Sequence, residues 1–476
     1  MDPNPQQTLY VVHCVDTEGP LHESLDATFD RIRSAFGRDL PATPETLAAL
    51  RRGEIDLGGR EDLARVMLSE HLLAYNDTWD KVDAMLDEMM RPPFRERYAD
   101  PQGDPWTFSW FCVDHVGYAS NPRRRDMGYH NIFDHYRAML KRFDVPDEIH
   151  WHVHPMSTYG EAHRNATAYL RTPHVLEGLA RRAIDRGWFP ACFRPGFHAE
   201  RPDSHWLLEQ YVPFDYGNQA MPRDAMLEGQ DDLANGRFGD WRRAPDDWAA
   251  YHPDHDDYQS VGSCRRTIFR CLNVGTRLRL LDEHEVRRAF ERAASGRPTI
   301  LAFTNHDFRD MRRDVAETHA LIDHVADAFP QVRWRTAGAL RAARAIVAQG
   351  EVLGGPSSPP GGGPEAPAEP EPLALQTRAR RAGGALHLEV EANHPIFGPQ
   401  PLLAVKTHSQ QYLVDNLDIQ EPFRRWSYVF DEQSFRPASL EVIALAAADA
   451  SGSTAVTRLD GSGAALDAEA LAALER

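Results

Sequence analysis

Strand-like and helix-like runs alternate along most of this chain, and no other feature restricts its fold as strongly. The runs TLYVVHCVDT from Thr8, WTFSWFCVD from Trp106, EIHWHVHP from Glu148, WFPACFRPG from Trp188, VPFDYGN from Val212 and PTILAFT from Pro298 read as buried strands, apolar and bounded by glycine, proline or charge. Helical periodicity fills the gaps, in TWDKVDAMLDEMM, NIFDHYRAMLKRF, TPHVLEGLARRAIDRG and SHWLLEQY. Strands separated by helices pair in parallel, so residues 1–349 are expected to form an α/β fold of the (β/α) barrel kind. Such barrels assemble their chemistry at the C-terminal ends of the strands.

Breaks in the pattern mark the remaining organisation. Residues 21–75 are helical and charged, far longer than an ordinary barrel loop, and read as a helical insertion beside the site or as a dimer surface. Thr43 is placed to cap a helix that carries Pro44 at its first position. Residues 350–373 are proline, glycine and acid, too poor in apolar surface to fold, and read as a linker. Beyond it, residues 374–476 contain GALHLEVEA, PLLAVKT, QQYLVDN, RRWSYVF, LEVIALAAAD and STAVTRL, the short strands of a small β-sandwich-like domain. That domain reads as a glycan-binding or docking module, or as a packing domain. The terminal AALDAEALAALER, Ala464 to Arg476, reads as a short helix.

Polar residues at the strand ends suggest chemistry. EIHWHVHP sets His150, His152 and His154 at alternate positions, so on a strand the three imidazoles share one face. Neutral imidazole is the commonest metal ligand, and a His-x-His pair can close on one ion; a structural histidine cluster is the competing reading. The first strand delivers Asp16 and Glu18, also alternate, to its C-terminal end. Arg194 precedes Pro195 and Gly196, where the chain must turn, and a guanidinium suits a carboxylate partner. PTILAFT runs on into Asn305, His306 and Asp307, a histidine and acid suited to proton transfer or, more plainly, to capping the next helix.

In this order the stretches resemble the polysaccharide deacetylase superfamily, carbohydrate esterase family 4 and its relatives, over Thr8 to Val347. VDTEG, Val15 to Gly19, is similar to the variant first motif with one residue between the acids. EIHWHVHP is similar to the His-x-His-Pro form of the second, FRPGF (Phe193 to Phe197) to the third, and LAFTNHDF (Leu301 to Phe308) to the last, which carries the catalytic histidine. Asp240 to Gly262 resembles a subgroup found with surface-glycan and lipopolysaccharide synthesis loci. Many members space the metal histidines four apart, which here fits only His150 and His154. The His-x-His-Pro form favours His152 and His154, with His150 as substitute. Glu18 stands where most members have aspartate.

The resemblance implies a distorted barrel of seven or eight strands and a metal-dependent deacetylase acting on an N-acetylated sugar or glycan. It implies a divalent ion, Zn2+ first, on Glu18, His152 and His154. Two imidazoles and a carboxylate suit zinc, with iron, manganese, cobalt or nickel as alternatives. Asp16 would be the base, or share ligation, and would pair with Arg194. His306 would be the acid, with Asp307 or another acid fixing its tautomer. Another metal-dependent amide hydrolase, or a glycan-binding scaffold with a degenerate site, are the rival readings.

With 53 basic and 71 acidic residues the chain carries a formal charge of −18, which disfavours nucleic acid or an anionic membrane as partner. No apolar run approaches the roughly 18 residues of a spanning helix, and no basic leader with an apolar core opens the chain, so a cytoplasmic location is expected. The five cysteines lack pairing or zinc spacing and read as buried thiols. A homo-oligomer is compatible with the helical segment's surface. Trp110, Tyr118, Tyr129, Trp151, Tyr159, Trp206, Tyr216 and Trp241 flank the motifs; sugars stack on such rings, but core filling is expected for most.

Overall fold

The computed structural model describes residues 7–154, 174–222, 239–276, 280–356 and 371–466. Tyr159, most of the proline-rich stretch and most of Ala464–Arg476 lie outside the described residues. The first nine strands are β1 (Thr8–Thr17), β2 (Phe108–Val113), β3 (Glu148–Val153), β4 (Cys192–Pro195), β5 (Phe214–Asn218), β6 (Ala250–Tyr251), β7 (Thr267–Asn273), β8 (Thr299–His306) and β9 (Arg333–Thr336). Seven of them pair in parallel in the order β1-β2-β3-β4-β5-β7-β8, and β8 returns to β1, closing a barrel. β9 stays outside that ring, on Thr8–Val11 of β1, short of the point where β2 joins at His13. β7 is absent from the sequence reading because Arg270 interrupts its apolar run; Arg270 pairs with buried Glu285 of the helix Glu283–Ala294.

Strand alternation sorts the side chains. On β1, Val12 and Cys14 point into the barrel with Phe111, Cys192, Phe214, Tyr216, Phe269, Cys271, Ile300 and Ala302. Leu9, Val11 and Val15 face outward, against Val82, Met85, Phe133, Tyr136, Phe290 and Val315 of the surrounding helices. Each such side chain, fully buried, stabilises the fold by about 1.5–3 kcal/mol. The parity that turns Val12 and Cys14 inward also aims Asp16 at the barrel mouth. All five cysteines are buried and unpaired.

Four helices, Leu25–Phe36, Pro44–Arg52, Glu61–Met67 and Glu70–Leu73, follow β1 and share a small core of Phe29, Ile32, Phe36, Leu50, Met67 and Leu68. The Thr43 hydroxyl accepts from the Thr46 amide and Pro44 fills the first turn, as expected. No helix among the described residues is long and apolar enough to cross a membrane.

The C-terminal strands are β10 (Val352–Leu353), β11 (Leu375–Ala382), β12 (Ala385–Ala392), β13 (Leu402–Thr407), β14 (Tyr412–Asp415), β15 (Asp418–Glu421), β16 (Arg425–Phe430), β17 (Leu440–Ala448) and β18 (Thr454–Asp460). Apart from β10, which joins β6, they form two antiparallel four-stranded sheets, β11-β12-β16-β15 and β14-β13-β17-β18. The sheets share one core, with Leu388, Val390, Trp426 and Phe430 from the first and Leu403, Val405, Ile443 and Leu445 from the second. β11 and β15 are edge strands of charged, largely exposed sequence, LQTRARRA and DIQE, so they carry no apolar alternation to read. The outer face of the second sheet is apolar too. Its Leu402, Ala404, Val442, Ala444 and Ala446 pack on Leu179, Ala180, Ala183 and Ile184 of the helix His174–Arg186, which follows β3.

Candidate metal and catalytic site

Register brings the strand-end residues together. β1 pairs Asp16 with His306 of β8, and β3 pairs His152 with Arg194 of β4. Glu18 and His154 lie just past the ends of their strands on the same inward parity. Glu18, His152 and His154 form the one group of three or more metal-ligand types found together among the described residues, their donor atoms all within 4.8 Å of one another.

The donor set fits a metal ion. His152 Nδ1 donates to the Arg194 carbonyl at 3.0 Å, so its Nε2 carries the lone pair. That nitrogen faces His154 Nε2 at 3.0 Å, and His154 Nε2 lies 3.2 Å from Glu18 Oε1. Two imidazole lone pairs at that separation repel unless a proton or a cation stands between them. Ligands about 2.0–2.1 Å from a tetrahedral ion stand about 3.3 Å apart, close to both spacings. His150 is not part of this group. Its Nε2 bonds Glu148 at 3.0 Å, and that carboxylate takes the Leu340 and Arg341 amides at the start of the helix Ala339–Ala348. Although His150 shares the inward face, it sits one residue pair back along β3, so it does not substitute for His152.

Asp16 and Arg194 form a buried bidentate pair, Nε to Oδ1 at 2.7 Å and Nη2 to Oδ2 at 3.2 Å. Arg194 also donates to the Tyr216 carbonyl at 2.6 Å. Burial alone would raise the Asp16 pKa, but the Arg194 guanidinium outweighs it and holds the carboxyl far below its usual range. His306 Nε2 stands 3.9 Å from Asp16 Oδ2 and 3.7 Å from Glu18 Oε1. Burial lowers its pKa to about 4 despite both carboxylates, so its resting form is neutral. The same burial lowers His152 to about 4.

Asp307 does not take the place expected beside His306. One residue on, it has the opposite parity and points outward. There it accepts from the Glu18 and Gly19 amides at 2.9 and 2.8 Å and from the Tyr136 hydroxyl at 2.8 Å. His306 Nδ1 has no hydrogen-bond partner among the described residues, so no acid fixes its tautomer from that side. Asp307 instead sets the backbone that presents Glu18. On the other side of that residue, His115 Nε2 holds the Glu18 carbonyl at 3.0 Å. Gly19 has φ +67°, and a Cβ there would meet Ile132 at 2.8 Å. Gly196 lies so close to His154 that a Cβ would come within 2.4 Å of its ring. The next two residues, Phe197 and His198, are left-handed without being glycine, each at a cost of about 1–3 kcal/mol. The Trp241 indole holds the His198 carbonyl at 2.8 Å, and the Phe197 ring faces His154 at 5.1 Å.

The mouth of the barrel opens into a cleft lined by these groups and by residues outside the motifs, among them Arg31, Tyr75, Arg123, Arg125 and Arg309. Arg125 Nη2 lies 2.6 Å from Glu18 Oε2, an ion pair off the line of a directed hydrogen bond. Burial opposes ionisation of Glu18, but Arg125 and His154 overcome it and keep its pKa well below normal. The sequence trace of this contribution is the run PRRRD, Pro122 to Asp126, a basic cluster in an acidic chain. Among the described residues, the aromatic rings at the cleft are Tyr75, Phe197 and Phe308. Trp110, Trp151, Tyr216 and Trp241 are core residues, as expected, and Trp206 lies exposed on a helix away from the cleft.

No family model, curated protein or solved structure matches this chain.

Proposed function

We propose that the chain is a metal-dependent deacetylase that hydrolyses the N-acetyl group of an amino sugar or glycan, on the polysaccharide deacetylase pattern its motifs resemble. The observation that carries the reading is the convergence, at one barrel mouth, of a three-donor cluster, an ionised carboxylate clamped by arginine and a neutral histidine within 4 Å of both acids. Glu18, His152 and His154 would hold the ion, with zinc favoured by the donor set. When bound, such an ion supplies positive charge that acidifies water and polarises an amide carbonyl.

The chain's own groups account for the protons. Asp16, kept ionised and oriented by Arg194, takes a proton from the attacking water. That proton passes to His306 Nε2, 3.9 Å away, and from the short-lived imidazolium to the amide nitrogen as its bond to the acetyl carbon breaks. Acetate and a free amine leave. A His306 pKa of about 4 suits this relay, because the imidazolium gives its proton up readily.

Elemental analysis of the purified protein tests the first half: about one divalent ion per chain is expected, lost in His152→Ala/His154→Ala. Acetate release from N-acetylated sugars and glycans tests the second. Turnover of small amides but not of acetylated sugars would transfer the site to another amide hydrolase class. Absence of stoichiometric metal after reconstitution would end the metal mechanism.

A further inference from the structure

The cleft carries a charge opposite to that of the chain. Against a formal −18 overall, Arg31, Arg123, Arg125 and Arg309 all line it. Glu23 answers two of these, at 2.6 Å from Arg31 and 3.7 Å from Arg123, and Glu18 answers Arg125. Arg309 has no carboxylate within 4 Å among the described residues; its Nε donates to the Leu72 carbonyl at 3.2 Å. Arg125 lines the cleft with only 8 % of its surface exposed.

Phe308 organises this surplus. The Arg125 and Arg309 guanidinium carbons lie 5.2 and 4.9 Å from its ring centre, and the His306 ring lies 4.7 Å from the same ring. Two cations are therefore gathered on one aromatic ring, one residue-contact away from the proposed proton donor. The planar guanidinium fork matches the oxygen pairs of a phosphate or carboxylate.

We propose that the cleft recognises an anionic group carried by its substrate, a phosphate or a carboxylate on the same sugar unit as the acetamido group, through Arg309 and Arg125 with Arg123 and Arg31 beside them. This takes the cleft to be the substrate site, as in the deacetylase reading, and names the substrate's charge.

The test is calorimetric titration of inorganic pyrophosphate into the full chain after chelator treatment, which keeps metal from mediating the binding. The expected result is saturable binding that weakens with added salt and falls by about tenfold or more in Arg309→Gln, with Arg309→Lys in between. No binding to the stripped wild type, or equal affinity in Arg309→Gln, overturns the proposal. Because this readout needs no turnover, it stands apart from the deacetylase assay. Pyrophosphate binding without acetate release from any sugar would keep the anion site and remove the deacetylase. Where acetate is released, kcat/KM for N-acetylglucosamine 1-phosphate and for an N-acetylated amino uronic acid, each against neutral N-acetylglucosamine, separates phosphate from carboxylate. A preference for neither over the neutral sugar overturns the proposal.

Discussion

Removing Arg194 should expose how strongly the barrel depends on charge balance beneath its mouth. In Arg194→Met the volume is nearly kept, but Asp16 loses both guanidinium bonds and retains only His152 and His306, at 3.7 and 3.9 Å. Breaking a buried ion pair on one side costs about 3–5 kcal/mol, because the surviving charge has no compensation. The cost should depend on pH. In the wild type the depressed Asp16 pKa contributes stability above the ordinary carboxylate range, lost only as pH falls through the folded value. In the variant the burial that opposes ionisation is no longer outweighed, so the Asp16 pKa rises above its unfolded value and stability declines as pH increases. The gap between the two proteins should therefore widen from about pH 4 to pH 7. Urea denaturation followed by tryptophan fluorescence at several pH values measures it. Adding Asp16→Asn should recover about 2 kcal/mol or more at pH 7, since the stranded charge disappears. A pH-independent loss, or a double variant no more stable than the single one, would refute the electrostatic account and assign the cost to packing.

Tyr136→Phe removes one of three donors to Asp307 and should cost about 1–3 kcal/mol, with weaker metal retention in a chelator competition, since Asp307 sets the Glu18 backbone. Gly19→Ala combines a left-handed backbone with a 2.8 Å contact to Ile132, and should lower the melting temperature and metal content together. His13, buried between the Trp106 indole and Asn305, has its pKa lowered by burial from 6.5 to about 4. The unfolded chain binds that proton first, so stability should fall as pH drops from about 6.5 towards 4, by up to about 3 kcal/mol for this site. The slope of stability against pH should be shallower over that window in His13→Leu.

Much of the barrel was legible because its strands are buried on both faces and read as continuous apolar runs. β7 was not, since the pairing of Arg270 with Glu285 is a contact between elements that no local pattern records. The choice of His152 and His154 followed from a motif, and strand parity alone could not make it: His150 shares that parity and differs only in how far along β3 it stands. Parity did hold the answer for Asp307. A residue next to an inward histidine on a strand must turn outward, and the helix that supplies Tyr136 lies there. Arg31, Arg123 and Arg309 reach the cleft from segments far apart in the chain. Of these, the PRRRD run hinted at Arg123 alone.

The second C-terminal sheet is apolar on both sides: one face completes the sandwich, the other lies on the helix that follows β3. Tyr412 and Arg458 add polar clasps, to Asp185 at 2.9 Å and to the Ile184 carbonyl at 3.0 Å. Neither half can be made alone without baring a greasy surface, so the two behave as subunits that happen to share a polypeptide. Residues 1–356 and 371–476 produced as separate chains should find each other and co-purify, whereas either one by itself should aggregate.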